Sequence, residues 1–193
     1  IGGVWQQLEN LTGNAQADTF TLTTGGTLTG NVSGAAGDDT LTGDDVANAF
    51  VITGADTGTA TGIGGVWQQL ENLTGNAQAD TFTITGGGTL TGNVSGAAGN
   101  DTLTGDDVAN AFVVTGADTG TATGIGGVWR EIENLTGNAQ ADTFALVGGT
   151  LTGVLDGAGG SDTLTGDDVA NAFVITGADS GTATGTGGFV NVE

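Results

Sequence analysis

The sequence predicts an all-β parallel β-solenoid of about nine coils, on three observations. First, IGGVWQQLENLTGNAQADTF stands unchanged at Ile1 and Ile63 and returns as IGGVWREIENLTGNAQADTF at Ile125, a period of 62 residues. A fixed period of this size marks a repeat architecture, in which each unit leans on its neighbours rather than on a private core. Second, a finer period runs inside it. Leu11, Val32, Ile52, Leu73, Val94, Val114, Leu135, Leu155 and Ile175 each stand two places before a glycine, at gaps of 20 or 21 residues. A unit of about twenty residues is one solenoid turn, so three coils would fill each 62-residue repeat. Third, 40 glycines and no proline leave room for many tight turns and remove no ladder donor.

On this reading residues 1–193 form one continuous solenoid, with units 1–62, 63–124 and 125–185 and the start of a fourth at 186–193. Strands are expected where apolar and polar residues alternate, as in Thr19-Phe20-Thr21-Leu22-Thr23 and Thr27-Leu28-Thr29. A second inward stack is expected through Phe20, Leu41, Ala60, Phe82, Leu103, Ala122, Phe144, Leu164 and Ala183. The strand spacing gives a rod of about 40–45 Å. Two other architectures are open to so glycine-rich a chain. A disordered linker has no need of a regular apolar rank, and a sandwich in each repeat has no need of the twenty-residue sub-period. Both ends fall inside the repeat, and after Glu193 the pattern expects Asn-Leu-Thr-Gly, so the chain reads as part of a longer array.

Twenty-two acidic residues face one basic residue, Arg130, for a formal charge of −21. That balance argues against nucleic acid and anionic membranes as partners, and no apolar run is long enough to cross a bilayer. Cations are the natural counterpart, though a solvated acidic face that keeps the rod soluble accounts for most of the charge. Cysteine, methionine, histidine and tyrosine are absent, which removes disulfide, thiol and imidazole chemistry. A chain so poor in Lys, Arg and Cys suits an extracellular bacterial setting. Near-identical repetition also argues against an enzyme, because an active site is built once from groups in differing environments.

Gly34-Ala35-Ala36-Gly37-Asp38-Asp39-Thr40-Leu41 recurs at 96–103 and, as Gly157-Ala158-Gly159-Gly160-Ser161-Asp162-Thr163-Leu164, at 157–164. These segments resemble the RTX nonapeptide GGxGxDxUx, with U a large apolar residue. The resemblance implies a calcium-binding β-roll in which glycines let turn carbonyls close on the ion and Asp39, Asp101 and Asp162 supply carboxylates. The second glycine is alanine in all three copies, and the adjoining segments 13–20 and 43–50 lack the internal glycines. A turn that keeps Gly and Asp for its backbone geometry alone is therefore the favoured reading. Over its whole length the chain also resembles giant bacterial surface proteins of the filamentous-haemagglutinin and RTX-adhesin kind. Gly187-Gly188-Phe189-Val190-Asn191-Val192-Glu193, Glu133-Asn134-Leu135-Thr136-Gly137 and Asp18-Thr19-Phe20 carry that likeness. It implies a rigid extracellular stalk or fibre whose partners are neighbouring repeats and other copies of itself, and which requires no cofactor.

A third pattern competes with the stalk. If Phe20 and Leu41 point inward, Thr19 and Thr21, Thr40 and Thr42, Thr81 and Thr83, and Thr102 and Thr104 point outward in pairs. Continued through the other coils, these pairs would make two parallel threonine files on one flat face. The files resemble the ice-binding face of β-solenoid antifreeze proteins, although threonine is also simply favoured on exposed strands. Asn10 and Asn31, 21 residues apart, are placed to stack as an amide ladder, and both also fit the glycosylation sequon. Trp5, Trp67 and Trp129 read as a covering patch or lateral contact.

Overall fold

A computed structural model describes residues 7–193. Its first structural unit, which runs a few residues past the 1–62 sequence repeat, contains β1 (Leu11–Thr12), β2 (Thr19–Thr21), β3 (Val32–Ser33), β4 (Thr40–Thr42), β5 (Ala49–Gly54), β6 (Thr57–Ala60) and β7 (Trp67–Gln68). The second carries β8 (Asn72–Asn76), β9 (Thr81–Ile84), β10 (Val94–Ala97), β11 (Thr102–Thr104), β12 (Ala111–Gly116), β13 (Thr119–Ala122) and β14 (Trp129–Arg130). The third carries β15 (Asn134–Asn138), β16 (Thr143–Leu146), β17 (Leu151–Ala158), β18 (Thr163–Thr165), β19 (Phe173–Gly177), β20 (Ser180–Ala183) and β21 (Thr186–Val190). They form a 12-stranded sheet, β1-β3-β7-β6-β5-β9-β11-β15-β17-β21-β20-β19, and a 9-stranded sheet, β18-β16-β12-β13-β14-β10-β8-β4-β2. The chain is an all-β parallel solenoid, and the two sheets enclose one continuous apolar core.

The first two turns of each repeat stack at the expected interval. Leu11 lies beside Val32, Phe20 beside Leu41, Leu73 beside Val94, Phe82 beside Leu103, and Phe144 beside Leu164. The last twenty residues of the repeat do something else. Instead of a third coil they open a three-stranded antiparallel meander inserted into one sheet, as in β5-β6-β7, whose last strand comes from the start of the next sequence repeat. Ala60 therefore does not follow Leu41; it pairs antiparallel with Phe50, while Leu41 passes on to Leu73. Likewise Trp67, not Ile52, stacks on Val32. The physical reason is a tight reversal at Gly54-Ala55-Asp56-Thr57-Gly58, where Asp56 adopts φ 46°, a left-handed conformation that Asp tolerates better than most residues.

A repeat thus offers four single strands and one meander, five stations that alternate between two sheets. Five is odd, so each repeat starts on the opposite sheet from its predecessor. Leu11 and Leu135 belong to the 12-stranded sheet and Leu73 to the 9-stranded one. Each copy is turned over relative to the last, and the arrangement recurs at every second repeat.

The meander is held by size matching along its rows. Trp67, fully buried, sits beside Gly58, which sits beside Ile52. A Cβ on Gly58 would come within 2.6 Å of the Trp67 ring and would overlap the Val51 carbonyl. The meander docks on the next repeat through parallel stacked rings, Phe50 on Phe82 at 4.9 Å and Phe112 on Phe144 at 5.1 Å.

Candidate functional site

The feature that recurs along the rod is a corner. A glycine ends a strand and, five places on, an Asp or Asn closes the turn over it, as in Gly13/Asp18, Gly34/Asp39 and Gly43/Asn48. In the turns that carry Asn-Ala-Gln-Ala-Asp, the carboxylate is satisfied within its own turn. The Asn76 N–H donates to Asp80 Oδ2 at 2.9 Å and the Asn138 N–H to Asp142 Oδ2 at 2.8 Å.

Between turns the acids form a ladder. The Asp18 N–H donates to Asp39 Oδ1 and the Asp39 N–H to Glu71 Oε2, both at 2.7 Å. The series repeats from Asp80 to Asp101 to Glu133 at 2.7 Å, and from Asp142 to Asp162 at 2.7 Å and on to Glu193 at 3.2 Å. Each carboxylate meets a backbone N–H of the adjoining turn. That charge-assisted bond offsets the repulsion of stacking like charges at strand spacing.

Asp39, Asp101 and Asp162 occupy the second step of this ladder and are buried, at 0, 0 and 1% exposure. Their Oδ1 atoms accept the bonds just described; their Oδ2 atoms are sealed from solvent and have no donor. The difference from the neighbouring turns is local. Ala35, Ala97 and Ala158, at φ 76°, 70° and 66°, stand where those turns have Asn14, Asn76 and Asn138. These alanines fill the place of the second RTX-like glycine and adopt a conformation glycine favours, so the turn outlasts the change of residue. Gln69, Glu131 and Asn191 are also left-handed, at φ 53°, 54° and 50°. A Cβ on Gly34 would overlap both the Gln69 carbonyl and Asp39 Oδ2; Gly96 and Gly157 stand in the same relation to Glu131 with Asp101 and to Asn191 with Asp162. Two acceptors therefore converge over a bare glycine Cα in each repeat.

Such a pair calls for a proton or a cation between its oxygens. Burial pushes the Asp101 carboxyl up to about 6, with the charges of Glu133, Asp80 and Glu131 adding and the Asp80 N–H opposing. Burial raises Asp162 as well. The oxygen donors suit calcium in kind, which takes roughly six to eight of them. Among the described residues, no three acidic, His or Cys side chains gather as a metal cluster, and the three aspartates stand in separate repeats.

The threonine pairs are placed differently from expectation. Thr19 and Thr21 lie beside Thr40 and Thr42 on the 9-stranded sheet, whereas Thr81 and Thr83 lie beside Thr102 and Thr104 on the 12-stranded sheet. The turning-over of each repeat divides the files into patches two strands deep. Asn72 and Thr74 adjoin one patch; Ala49 and Val51 adjoin the other.

Asn10 and Asn31 do stack as a ladder, the Asn31 N–H donating to Asn10 Oδ1 at 2.9 Å and the Val66 N–H to Asn31 Oδ1 at 2.9 Å. Trp67 and Trp129 are core residues at 0% exposure rather than a surface patch, because the meander folds them under Gly58 and Gly120. Trp5 lies outside the described residues. What sequence reasoning missed was the carbonyl side of each niche. Gln69, Glu131 and Asn191 stand about thirty residues beyond their aspartates, an offset that follows only from the meander.

Comparison of the chain with protein-family models, curated proteins and solved structures gives no match.

Proposed function

We propose that this chain is a structural repeat segment, a stalk or fibre of an extracellular bacterial adhesin or surface filament. The observation that carries this reading is the junction between repeats. β8 and β9 dock on β4 and β5 in the same register as β15 and β16 dock on β11 and β12. A joint made twice in one register with nearly the same residues adds length and stiffness rather than a singular site. The absence of cysteine and the charge of −21 are in keeping with a non-enzymatic role outside the cell. The test is to splice further 62-residue units into the chain and image the particles. Seven strands per repeat, shared between two sheets, predict about 17 Å of added length per unit. A particle that grows in width instead would sink the stalk.

A calcium-dependent roll is a second reading, favoured by the orphaned Oδ2 atoms of Asp39, Asp101 and Asp162. On that reading, micromolar to millimolar calcium raises the melting temperature above matched sodium or magnesium, and the triple Asp→Ala variant loses the difference. An equal response to all three salts at one ionic strength would remove it. The ice-binding alternative now rests on divided threonine patches. Thermal hysteresis that Thr81→Lys with Thr102→Lys abolishes would put it ahead of the stalk.

A further inference from the structure

Each meander leaves a recess at the corner it enters. In the 12-stranded sheet β7 and β6 stand between β3 and β5, whereas in the 9-stranded sheet β2 and β4 remain neighbours. The β2–β3 and β4–β5 connections are therefore side by side at one sheet and two strands apart at the other. The β6–β7 loop enters that gap, its Gly62 carbonyl accepting the Leu28 N–H at 2.8 Å, and does not fill it. A recess of about 150 Å³ remains, with Leu22, Val46, Asp44 and Asn48 in its wall. The second meander, in the other sheet, leaves one of about 170 Å³ walled by Ile84, Val108, Asp106 and Asn110. Every residue lining the second lies 62 positions after its counterpart in the first.

The lining is electronegative. The Gly25 and Asp45 N–H groups donate to the two carboxylate oxygens of Asp44, and those of Gly87 and Asp107 donate to Asp106 at 2.7 and 2.9 Å. These donors hold the Asp44 carboxyl below the usual carboxylate range, so it stays charged at neutral pH. Asn48 and Asn110, both 3% exposed, spend Nδ2 on the carbonyls of their own turns and leave Oδ1 without a donor. Leu22 and Val46, or Ile84 and Val108, add aliphatic surface, and the chain's one basic residue, Arg130, lines neither recess. An anion is repelled from such a place. A primary ammonium is compact, strongly hydrated and brings three donors, but the Asp oxygens are already engaged. A quaternary ammonium wants negative potential and apolar contact and needs no hydrogen bond. A cavity of about 150 Å³ takes a benzene-sized guest, which leaves room for this headgroup.

We propose that each recess binds a trimethylammonium group, the chemistry of choline and of larger molecules that carry it. The charge of −21 concentrates such a cation at the surface. A shallower trough over Leu28, Ile63 and Gly64 adjoins the first recess through Thr27 and Gly62, and its counterpart over Leu90, Ile125 and Gly126 adjoins the second. The rest of the carrier lies along that trough. This goes beyond the stalk reading and does not rest on it, because binding to a single chain is measured without reference to length.

The experiment is an NMR titration of the isotope-labelled 193-residue chain with choline chloride, exchanged against sodium chloride at fixed ionic strength. The comparison is its carbon isostere dimethylbutanol, in which a tert-butyl group replaces the trimethylammonium. The expected result is saturable shifts at the Gly25, Val46, Gly87 and Val108 amides, with choline at least about tenfold tighter than the isostere. Val46→Lys with Val108→Lys places a competing cation over each recess. Both side chains are exposed, at 45 and 46%, and circular dichroism checks that folding survives. That variant should bind choline more than about tenfold more weakly. Thr19→Lys with Gln68→Lys, the same change of charge at exposed positions that line neither recess, should keep most of the affinity. Pelleting with phosphatidylcholine vesicles alongside choline binding identifies a lipid headgroup as the carrier; choline binding without pelleting identifies a soluble one. Shifts that do not saturate, or an isostere that binds as tightly, would overturn the inference. So would a recess variant that binds like the parent, or a charge-matched control that loses binding as fully as the recess variant.

Discussion

At the scale of single residues, buried Asp101 sets a pH dependence whose sign can be worked out. The folded chain raises the Asp101 carboxyl from 3.8 to about 6, so it holds a proton where the unfolded chain has lost it. Its unpaired Oδ2, which converges with the Glu131 carbonyl over Gly96, is the oxygen placed to carry that proton. Stability from this group is complete below about pH 4, falls as pH rises through the window up to about 6, and is flat above. Asp101→Asn supplies a permanent donor while its Oδ1 keeps the Asp80 N–H. The sequence already uses asparagine at this station, where Asn48 Nδ2 donates to two turn carbonyls at 2.8 Å. Thermal melts from pH 4 to 7.5 should show the variant gaining on the parent as pH rises. Equal pH slopes for the two would refute the buried proton. The three aspartates were legible in the sequence because Gly and Asp recur in a turn-like pattern. That their outer oxygens meet carbonyls was not, because nothing near Asp101 in the chain announces Glu131.

At the scale of elements, the meander is what the periodicity concealed. Ala49-Phe50-Val51-Ile52-Thr53 alternates as any coil strand does, and Ile52-Thr53-Gly54 imitates the Leu-Thr-Gly and Val-Ser-Gly corners. A count of glycine spacings therefore reads a third coil there. The correcting signal was Gly54-Ala55-Asp56-Thr57-Gly58, a hairpin reversal set between two alternating runs. Solenoid class, the first two turns of each repeat and the asparagine ladder were all readable, because each depends on one short period. The antiparallel excursion depends on how three strands fit together, and a period does not encode that. Gly58→Ala tests the fit: its Cβ runs into fixed backbone and the Trp67 ring, so a loss of roughly 1–3 kcal/mol is expected from urea unfolding. The outward Thr59→Val on the same strand should cost far less. Equal costs would mean that the Trp67–Gly58–Ile52 row is not packed as described.

At the scale of the whole molecule, alternation governs shape. Each meander puts three strands where a simple turn puts one, lengthening the sheet that carries it. The 12-stranded sheet carries two meanders and the 9-stranded sheet one. Because successive repeats place the meander on opposite sheets, the lengthening cancels over each pair, and a long array stays straight on average. The charge of −21 is spread along this rod, so raising sodium chloride from low to moderate ionic strength should raise the melting temperature by screening. A melting temperature indifferent to salt would mean the ladder hydrogen bonds already neutralise the repulsion. The central claim is that each repeat is two turns and a meander, so that Thr42 neighbours Thr74 and not Thr61. The chain has no native cysteine, so single cysteines at these positions take spin labels cleanly. Labels at Thr42 and Thr74, on adjacent strands about 5 Å apart, should show strong dipolar broadening. Labels at Thr42 and at Thr61, the turn residue that follows β6 of the other sheet, should show far less. Broadening for the second pair and not the first would restore three coils per repeat and contradict the account.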